Sequence, residues 1–142
     1  MTRRFWNALA ASALGAALTT ALATGAYAQS QLEVTEIALG AELENGVPTR
    51  SATSFARNSG AVYCVVRLNN PGAQETAVRI AFERAEGEPA NRPAGHRLPV
   101  PARRRYRTLA RSGTARAPGN YRCVVRNDEG TVLSSANYTI TE

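Results

Sequence analysis

The chain has 142 residues and a formal net charge of +6, with 44% hydrophobic and 20% charged residues. This length fits one ordinary domain, and the composition argues against an extensively disordered chain. All 17 basic residues are arginines, and one histidine and one aspartate are present, which excludes a multi-histidine metal centre or a Schiff-base lysine.

Residues 1–28 have the features of a secretory signal peptide. Arg3 and Arg4 form a basic start, a stretch rich in Ala and Leu follows, and an A-x-A cleavage motif ends at Ala28. The apolar stretch is too short and too interrupted for a membrane span, so an anchor helix is the weaker alternative. Cleavage would leave residues 29–142, whose fifteen arginines and eleven acidic residues give a net charge of +4. We therefore predict a periplasmic or secreted bacterial protein.

Two cysteines, Cys64 and Cys123, remain in this exported chain. An oxidising compartment makes a disulfide the expected state of an even number of cysteines. A reactive thiol pair is the alternative. It is disfavoured because the spacing is not C-x-x-C and both cysteines lie among Val and Tyr, where a thiolate is costly.

Apolar and polar residues alternate along most of the mature chain. Positions 62, 64, 66 and 68 are apolar on one face, and the run 121–126 places Arg122 and Arg126 opposite its apolar positions. Stretches rich in Gly, Pro, Asn and Asp separate such runs. We predict strands near 31–39, 60–68, 76–84, 95–100, 103–110, 120–127 and 131–141. Seven short strands predict an all-β fold, an antiparallel sandwich.

The stretch around the second cysteine carries a recognisable motif. Gly119-Asn120-Tyr121-Arg122-Cys123 resembles the G-x-Y-x-C start of strand F in immunoglobulin-like domains. The resemblance implies an immunoglobulin-like antiparallel sandwich of about seven strands, in which Tyr121 forms a tyrosine corner and the two cysteines link strands B and F of opposite sheets. The mature chain has no Trp to pack on this disulfide, and Ile80 or Phe82 is the expected substitute.

A longer series of motifs extends from Leu32 to Ile140. Its members are Val47-Pro48, Val62-Tyr63, Arg103 to Thr108, Gly119 to Val125 and Asp128 to Leu133. Their order is similar to that of small exported bacterial immunoglobulin-like domains of unknown function. Where those domains carry His-x-Trp and a second Trp, this chain has Arg79 to Phe82 and Tyr121. The resemblance implies a fold and no reaction.

The charge is unevenly distributed. Residues 29–49 contain four glutamates and no arginine, whereas residues 89–127 contain ten arginines and no acidic residue. The densest part supplies the predicted polyanion-binding residues: Arg103, Arg104, Arg105, Tyr106, Arg107 and Arg111. In a strand, Arg103, Arg105 and Arg107 would share one face, and Arg104 and Tyr106 the other.

Guanidinium groups bind phosphate or carboxylate bidentately, so an arginine-rich face suits a repeating anionic polymer. Tyr106 could stack on a base or sugar. Two alternatives stay open. Arginine density partly reflects the absence of lysine, and charges on edge strands also discourage aggregation. The acidic opening strand could also pair with the arginines, within the molecule or between copies.

The other reactive side chains form no catalytic motif. His96 is a lone imidazole in a stretch rich in Gly and Pro. Glu83, Glu86 and Glu88 match no calcium loop and are predicted to lie in a solvated turn. The serines of 51–59 have no Gly-x-Ser-x-Gly elbow. We predict no enzyme, no metal and no cofactor.

The expected function is therefore a non-catalytic exported binding module. Its expected ligand is an anionic envelope polymer: lipopolysaccharide, acidic polysaccharide or nucleic acid. The alternative is a protein–protein adaptor or inhibitor domain that uses its loops or a free edge strand.

Overall fold

The computed structural model describes residues 31–142, so the signal peptide predicted over 1–28 lies outside the described residues. The described chain is all-β, with ten strands and no helix. The strands are β1 (Glu33–Gly40), β2 (Leu43–Glu44), β3 (Val47–Pro48), β4 (Ser54–Ala56), β5 (Ala61–Asn69), β6 (Thr76–Arg84), β7 (His96–Val100), β8 (Arg105–Gly113), β9 (Gly119–Asn127) and β10 (Val132–Thr141). Accordingly, residues 31–142 contain no helix long and apolar enough to cross a membrane.

Seven of these strands lie where the alternation predicts strands, with ends displaced by at most three residues. The three others, β2 to β4, are two or three residues long and were not predicted. Two or three residues are too few to show the alternation of apolar and polar side chains that predicts a strand. The β2–β3 pair is a hairpin around Asn45 and Gly46, whose φ angles are 53° and 74°. Two positive φ angles at an Asn-Gly pair are typical of a type I′ turn.

The strands form two main sheets and the small β2–β3 hairpin. The three-stranded sheet has the order β1-β5-β8, and the five-stranded sheet has the order β4-β10-β9-β6-β7. All pairings are antiparallel except that of β4 with β10. Side chains from both sheets join in one apolar core, which includes Val62, Val66, Leu68, Val78, Ile80, Val125 and Ile140.

A disulfide joins the sheets. Cys64 on β5 is bonded to Cys123 on β9, and both residues are fully buried. Phe82 lies opposite Cys123 on β6. An aromatic cluster extends from there, because the ring of Tyr138 packs edge-on against Phe82 at 6.4 Å and stacks on Tyr121 at 5.8 Å. Phe82 and this cluster lie at the position predicted for a substitute of the missing Trp.

The hydroxyl of Tyr121 donates a hydrogen bond to the carbonyl oxygen of Ala117 at 2.6 Å. This is the bond that a tyrosine corner makes. It closes the entry into β9 and so helps to position Cys123 in the core. Burial raises the pKa of the neighbouring Tyr138 hydroxyl, and the charge of Arg116 opposes that rise.

Replacing both Cys64 and Cys123 by Ala should lower the free energy of unfolding by about 4 kcal/mol in the chain-entropy model, because the bond closes a loop across 59 residues. Urea denaturation measures the difference. The control is the unaltered protein with and without reductant, which breaks the bond while keeping the sulfur atoms in the core. Equal stability in the two conditions would contradict the prediction.

Candidate anion-binding site

The outward face of the three-stranded sheet, turned away from the core, carries its charges in rows. Strand register aligns residues of β1, β5 and β8 across the sheet. Two adjacent rows hold the charges at one end: Glu33–Asn69–Arg105 and Glu36–Arg67–Arg107. The acidic strand is thus separated from the basic strand by β5.

These rows border an open groove of about 670 Å³. Three guanidinium groups and two neutral polar side chains line it, together with the ring of Tyr106: Arg67, Arg105, Arg107, Thr35 and Asn69. Thr35 is the extra residue of a bulge in β1, and its hydroxyl donates to the carbonyl oxygen of Arg67 at 3.2 Å. We refer to this site as the arginine groove.

The acidic strand neutralises only one side of the arginine groove. Glu36 forms an ion pair with Arg67 at 3.3 Å, and both side chains are more than half exposed. Exposed pairs of this kind contribute at most about 1 kcal/mol, so a competing anion displaces them easily. Within residues 31–142, neither Arg105 nor Arg107 forms an ion pair.

The β2–β3 hairpin holds Arg107 in place. The guanidinium of Arg107 donates to the carbonyl oxygen of Asn45, at the hairpin turn, at 3.1 Å. Gly40 allows the hairpin to fold back on β1, since a Cβ at this residue would lie 2.7 Å from that of Pro48. A neutral carbonyl orients the guanidinium without cancelling its charge.

The predicted polyanion-binding residues do not form one surface. Arg103 and Arg104 precede β8, which begins at Arg105, so Arg103 does not share a strand face with Arg105 and Arg107. The reason is a turn in which the Arg103 amide donates to the carbonyl of Pro101 at 2.7 Å. The structure therefore brings only part of the predicted set together.

The remaining two members of that set, Arg111 and Tyr106, also lie on β8. Arg111 is exposed but stands opposite Tyr63, about 13 Å along the strand from Arg107. Tyr106 is half-buried against the core, with one side in the arginine groove. Stacking on a ligand is therefore open to only part of its ring.

Arg122 and Arg126 are buried although they face away from the apolar core. Both point away from the core as predicted, but Arg126 is 0% and Arg122 is 7% exposed. Segment 85–95 covers them: Arg126 donates to the carbonyl of Ala90 at 2.9 and 3.0 Å, and Arg122 donates to that of Glu86 at 3.3 Å. These arginines hold a loop and are closed to a ligand.

Glu83 balances this buried cluster. Its carboxylate lies 3.2 Å from Arg126, 3.3 Å from Arg92 and 3.6 Å from Arg122. The prediction of a solvated turn is therefore wrong for Glu83, which belongs to β6. Burial alone would raise the pKa of Glu83, but hydrogen bonds and charge from Arg126 and Arg92 outweigh it and lower that pKa below its usual value.

Other arginines of the basic stretch are also engaged. Arg97 forms two hydrogen bonds with the Asp128 carboxylate, at 2.8 and 3.1 Å, and so lowers the pKa of Asp128. Arg116 lies over the Tyr121 ring, 4.8 Å from its centroid, and donates to the carbonyl of Phe82. Of the ten arginines of 89–127, five form neither an ion pair nor a cation–π contact with a described side chain, and these are the five predicted to bind polyanions. Arg107 among them is held only by the neutral Asn45 carbonyl.

Sequence reasoning missed Arg67 as a site residue. It lies outside the acid-free stretch, so a count of charge along the chain does not find it. The alternation in 62–68 did place it on the outward face. In immunoglobulin-like sheets strand B neighbours strand E. If the strand of 62–68 is paired in this way with the Arg-rich strand, Arg67 lies beside Arg105 and Arg107.

No protein-family model matches the sequence, and no curated protein matches it. The fold is similar to that of an immunoglobulin-like protein from Pseudomonas aeruginosa, with a TM-score of 0.51 and 12% identity over 80% of this chain and 99% of that chain. It is also similar to part of an alkylpurine DNA glycosylase from Pseudomonas fluorescens, solved with DNA containing an abasic site analogue. That match has a TM-score of 0.53 and 13% identity, and covers 83% of this chain and 32% of the glycosylase. At these identities the likeness shows an immunoglobulin-like β fold alone.

The substitution Glu83→Gln should lower the free energy of unfolding at neutral pH by about 3 kcal/mol, because it leaves the buried Arg126 without its carboxylate. Because the pKa of Glu83 is lowered by folding, its contribution is complete above the carboxyl pKa of the unfolded chain and is lost as the pH falls through the folded value. The difference between the two proteins should therefore shrink below about pH 4.

Urea denaturation across a pH series measures this effect, with the exposed Glu88→Gln as the matched control. Equal effects of the two substitutions would argue against a structural role of the Glu83 cluster.

Proposed function

We propose that this chain is a non-catalytic exported module that binds an anionic polymer through the arginine groove. The observation that carries the proposal is the convergence of Arg67, Arg105 and Arg107 on one open groove, with no acidic partner for the two β8 residues among the described side chains. We infer that the two disulfide-linked sheets form an immunoglobulin-like sandwich that presents this groove on one outer face.

The chemistry of the groove suits phosphate, sulfate or carboxylate groups. Arg105 and Arg107 project from the same face about 7 Å apart along β8, so each can bind a separate anionic group of a polymer. Thr35 and Asn69 add neutral polar groups to the lining. An open groove of this kind favours an extended ligand over an enclosed small molecule.

The placement of His96 and Glu83 supports a binding role over catalysis. The imidazole of His96 is exposed at the start of β7, away from the groove lining, and Glu83 is engaged by arginines. Among residues 31–142, no group of three or more His, Cys, Asp or Glu side chains could hold a metal ion. Export is part of the proposal and is supported by the disulfide, because such bonds persist in oxidising compartments.

The double substitution R105Q/R107Q should weaken binding of heparin, lipopolysaccharide and single-stranded DNA by about tenfold, since each exposed arginine–anion contact contributes about 0.7 kcal/mol. For single-stranded DNA, the negative slope of log affinity against log salt concentration should become shallower by about 1.4, or about 0.7 for each lost phosphate contact. Titration calorimetry or fluorescence anisotropy over a salt series measures both quantities.

The matched control is R50Q/R57Q, which removes the same charge from exposed arginines outside the groove lining. Comparable losses in the two variants would indicate a general charge effect. No binding by the unaltered protein at low salt, or affinity that does not change with salt, would overturn the proposal. The strongest of the three probes identifies the polymer class.

A further inference from the structure

Strand β8 has an unpaired edge. It is hydrogen-bonded to β5, and no strand of residues 31–142 covers its other side. At its two ends, the Asn70 amide donates to the Arg104 carbonyl at 2.7 Å and the Thr114 amide donates to the Gly60 carbonyl at 3.1 Å. Because antiparallel strands alternate the direction of their backbone groups, even-numbered residues of β8 face β5. The odd-numbered residues 105–111 therefore present free N–H and C=O groups.

The side chains of those odd-numbered residues limit what can pair there. Arg105, Arg107 and Arg111 are exposed on the outward face, and Leu109 between them is 37% exposed. Two β8 edges would repel each other, because like charges would lie side by side. A strand with carboxylates on the same face would be attracted.

The opposite edge of the same sheet has this character. On β1, Glu33 and Glu36 share the outward rows of Arg105 and Arg107. The β1 edge is closed only near its end, where the Leu39 carbonyl accepts from the Ala52 amide at 2.9 Å. Both β1 and β8 run antiparallel to β5, so they run parallel to each other.

We propose that a second copy of this chain adds its β1 edge, residues 33–37, in parallel to the β8 edge. Translation of one molecule across the sheet brings Glu33 of the second copy beside Arg105, and its Glu36 beside Arg107. The three-stranded sheet then continues into the next molecule. This contact joins two different surfaces, so it leaves a free edge at each end and builds open chains.

The contact goes beyond the proposed function because it adds the backbone edges of β8 and β1 to Arg105 and Arg107, which polymer binding also uses. Leu109→Pro separates the two. Proline removes the Leu109 N–H from the free edge without breaking a bond to β5, and it is tolerated on edge strands. Leu109→Ala is the matched control, because it truncates the same side chain and keeps the N–H.

Sedimentation velocity at low salt tests the proposal. The weight-average mass of the unaltered protein should at least double between about 20 µM and about 1 mM, an interval suited to a weak edge contact. L109A should behave in the same way. L109P should stay monomeric while keeping its affinity for heparin. A monomeric unaltered protein at every concentration, or equal assembly of L109P and L109A, would overturn the inference.

Charge reversal provides an independent test that does not depend on proline. E33R/E36R has two basic edges and R105E/R107E has two acidic edges, so each alone should be monomeric. An equimolar mixture should assemble again, because each variant then supplies the edge that the other lacks. Circular dichroism checks that both variants are folded. Failure of the mixture to assemble, when both variants are folded, would refute the pairing of β1 with β8.

Discussion

The position of β5 between β1 and β8 is the constraint on which the surface chemistry depends. Neighbouring strands lie about 4.8 Å apart, so the carboxylates of β1 and the guanidinium groups of β8 project from lines about 10 Å apart. That distance is about one Debye length at 0.1 M salt, which screens most of their attraction across water. Arg67 on β5 receives the acidic partner instead. The sheet order thus leaves one edge basic and the other acidic.

Arginine has a different role on the five-stranded sheet. There Glu83 and the carbonyls of segment 85–95 surround Arg122 and Arg126, and Gly130 lets the Arg92–Pro93 backbone approach the β9–β10 turn. A guanidinium has five donors, so a fully buried one needs several acceptors, and a loop laid across it supplies them. Arg126 therefore holds a loop against the sheet, whereas Arg105 is open to solvent. The same residue type serves packing on one face and surface charge on the other.

The sequence predicts the long strands and the disulfide because both depend on local pattern and compartment. The alternation around Cys64 and Cys123 is strong, and Phe82 does lie beside the disulfide at Cys123. Burial of Arg126 could not be predicted from the sequence. The alternation of apolar and polar residues indicates which face of the sheet a side chain occupies, but it does not indicate which segment covers that face. Arg67 was missed for a related reason. Charge density is counted along the sequence, whereas the site is formed by residues that are neighbours on paired strands. The short β2–β3 hairpin has a sequence signal of its own, since an Asn-Gly pair such as Asn45-Gly46 is typical of a two-residue hairpin turn.

Arg105 and Arg107 link the two proposed activities of this surface. Their side chains line the groove, and their backbone groups face the free edge of β8. A strand added at that edge would bring carboxylates beside the guanidinium groups that a polymer needs, so binding at one site lowers the affinity of the other by the same factor. Salt acts unequally on the two equilibria, because polymer binding rests mainly on charge whereas edge pairing also gains backbone hydrogen bonds. Rising ionic strength therefore shifts the balance from the polymer-bound molecule towards the chain of copies.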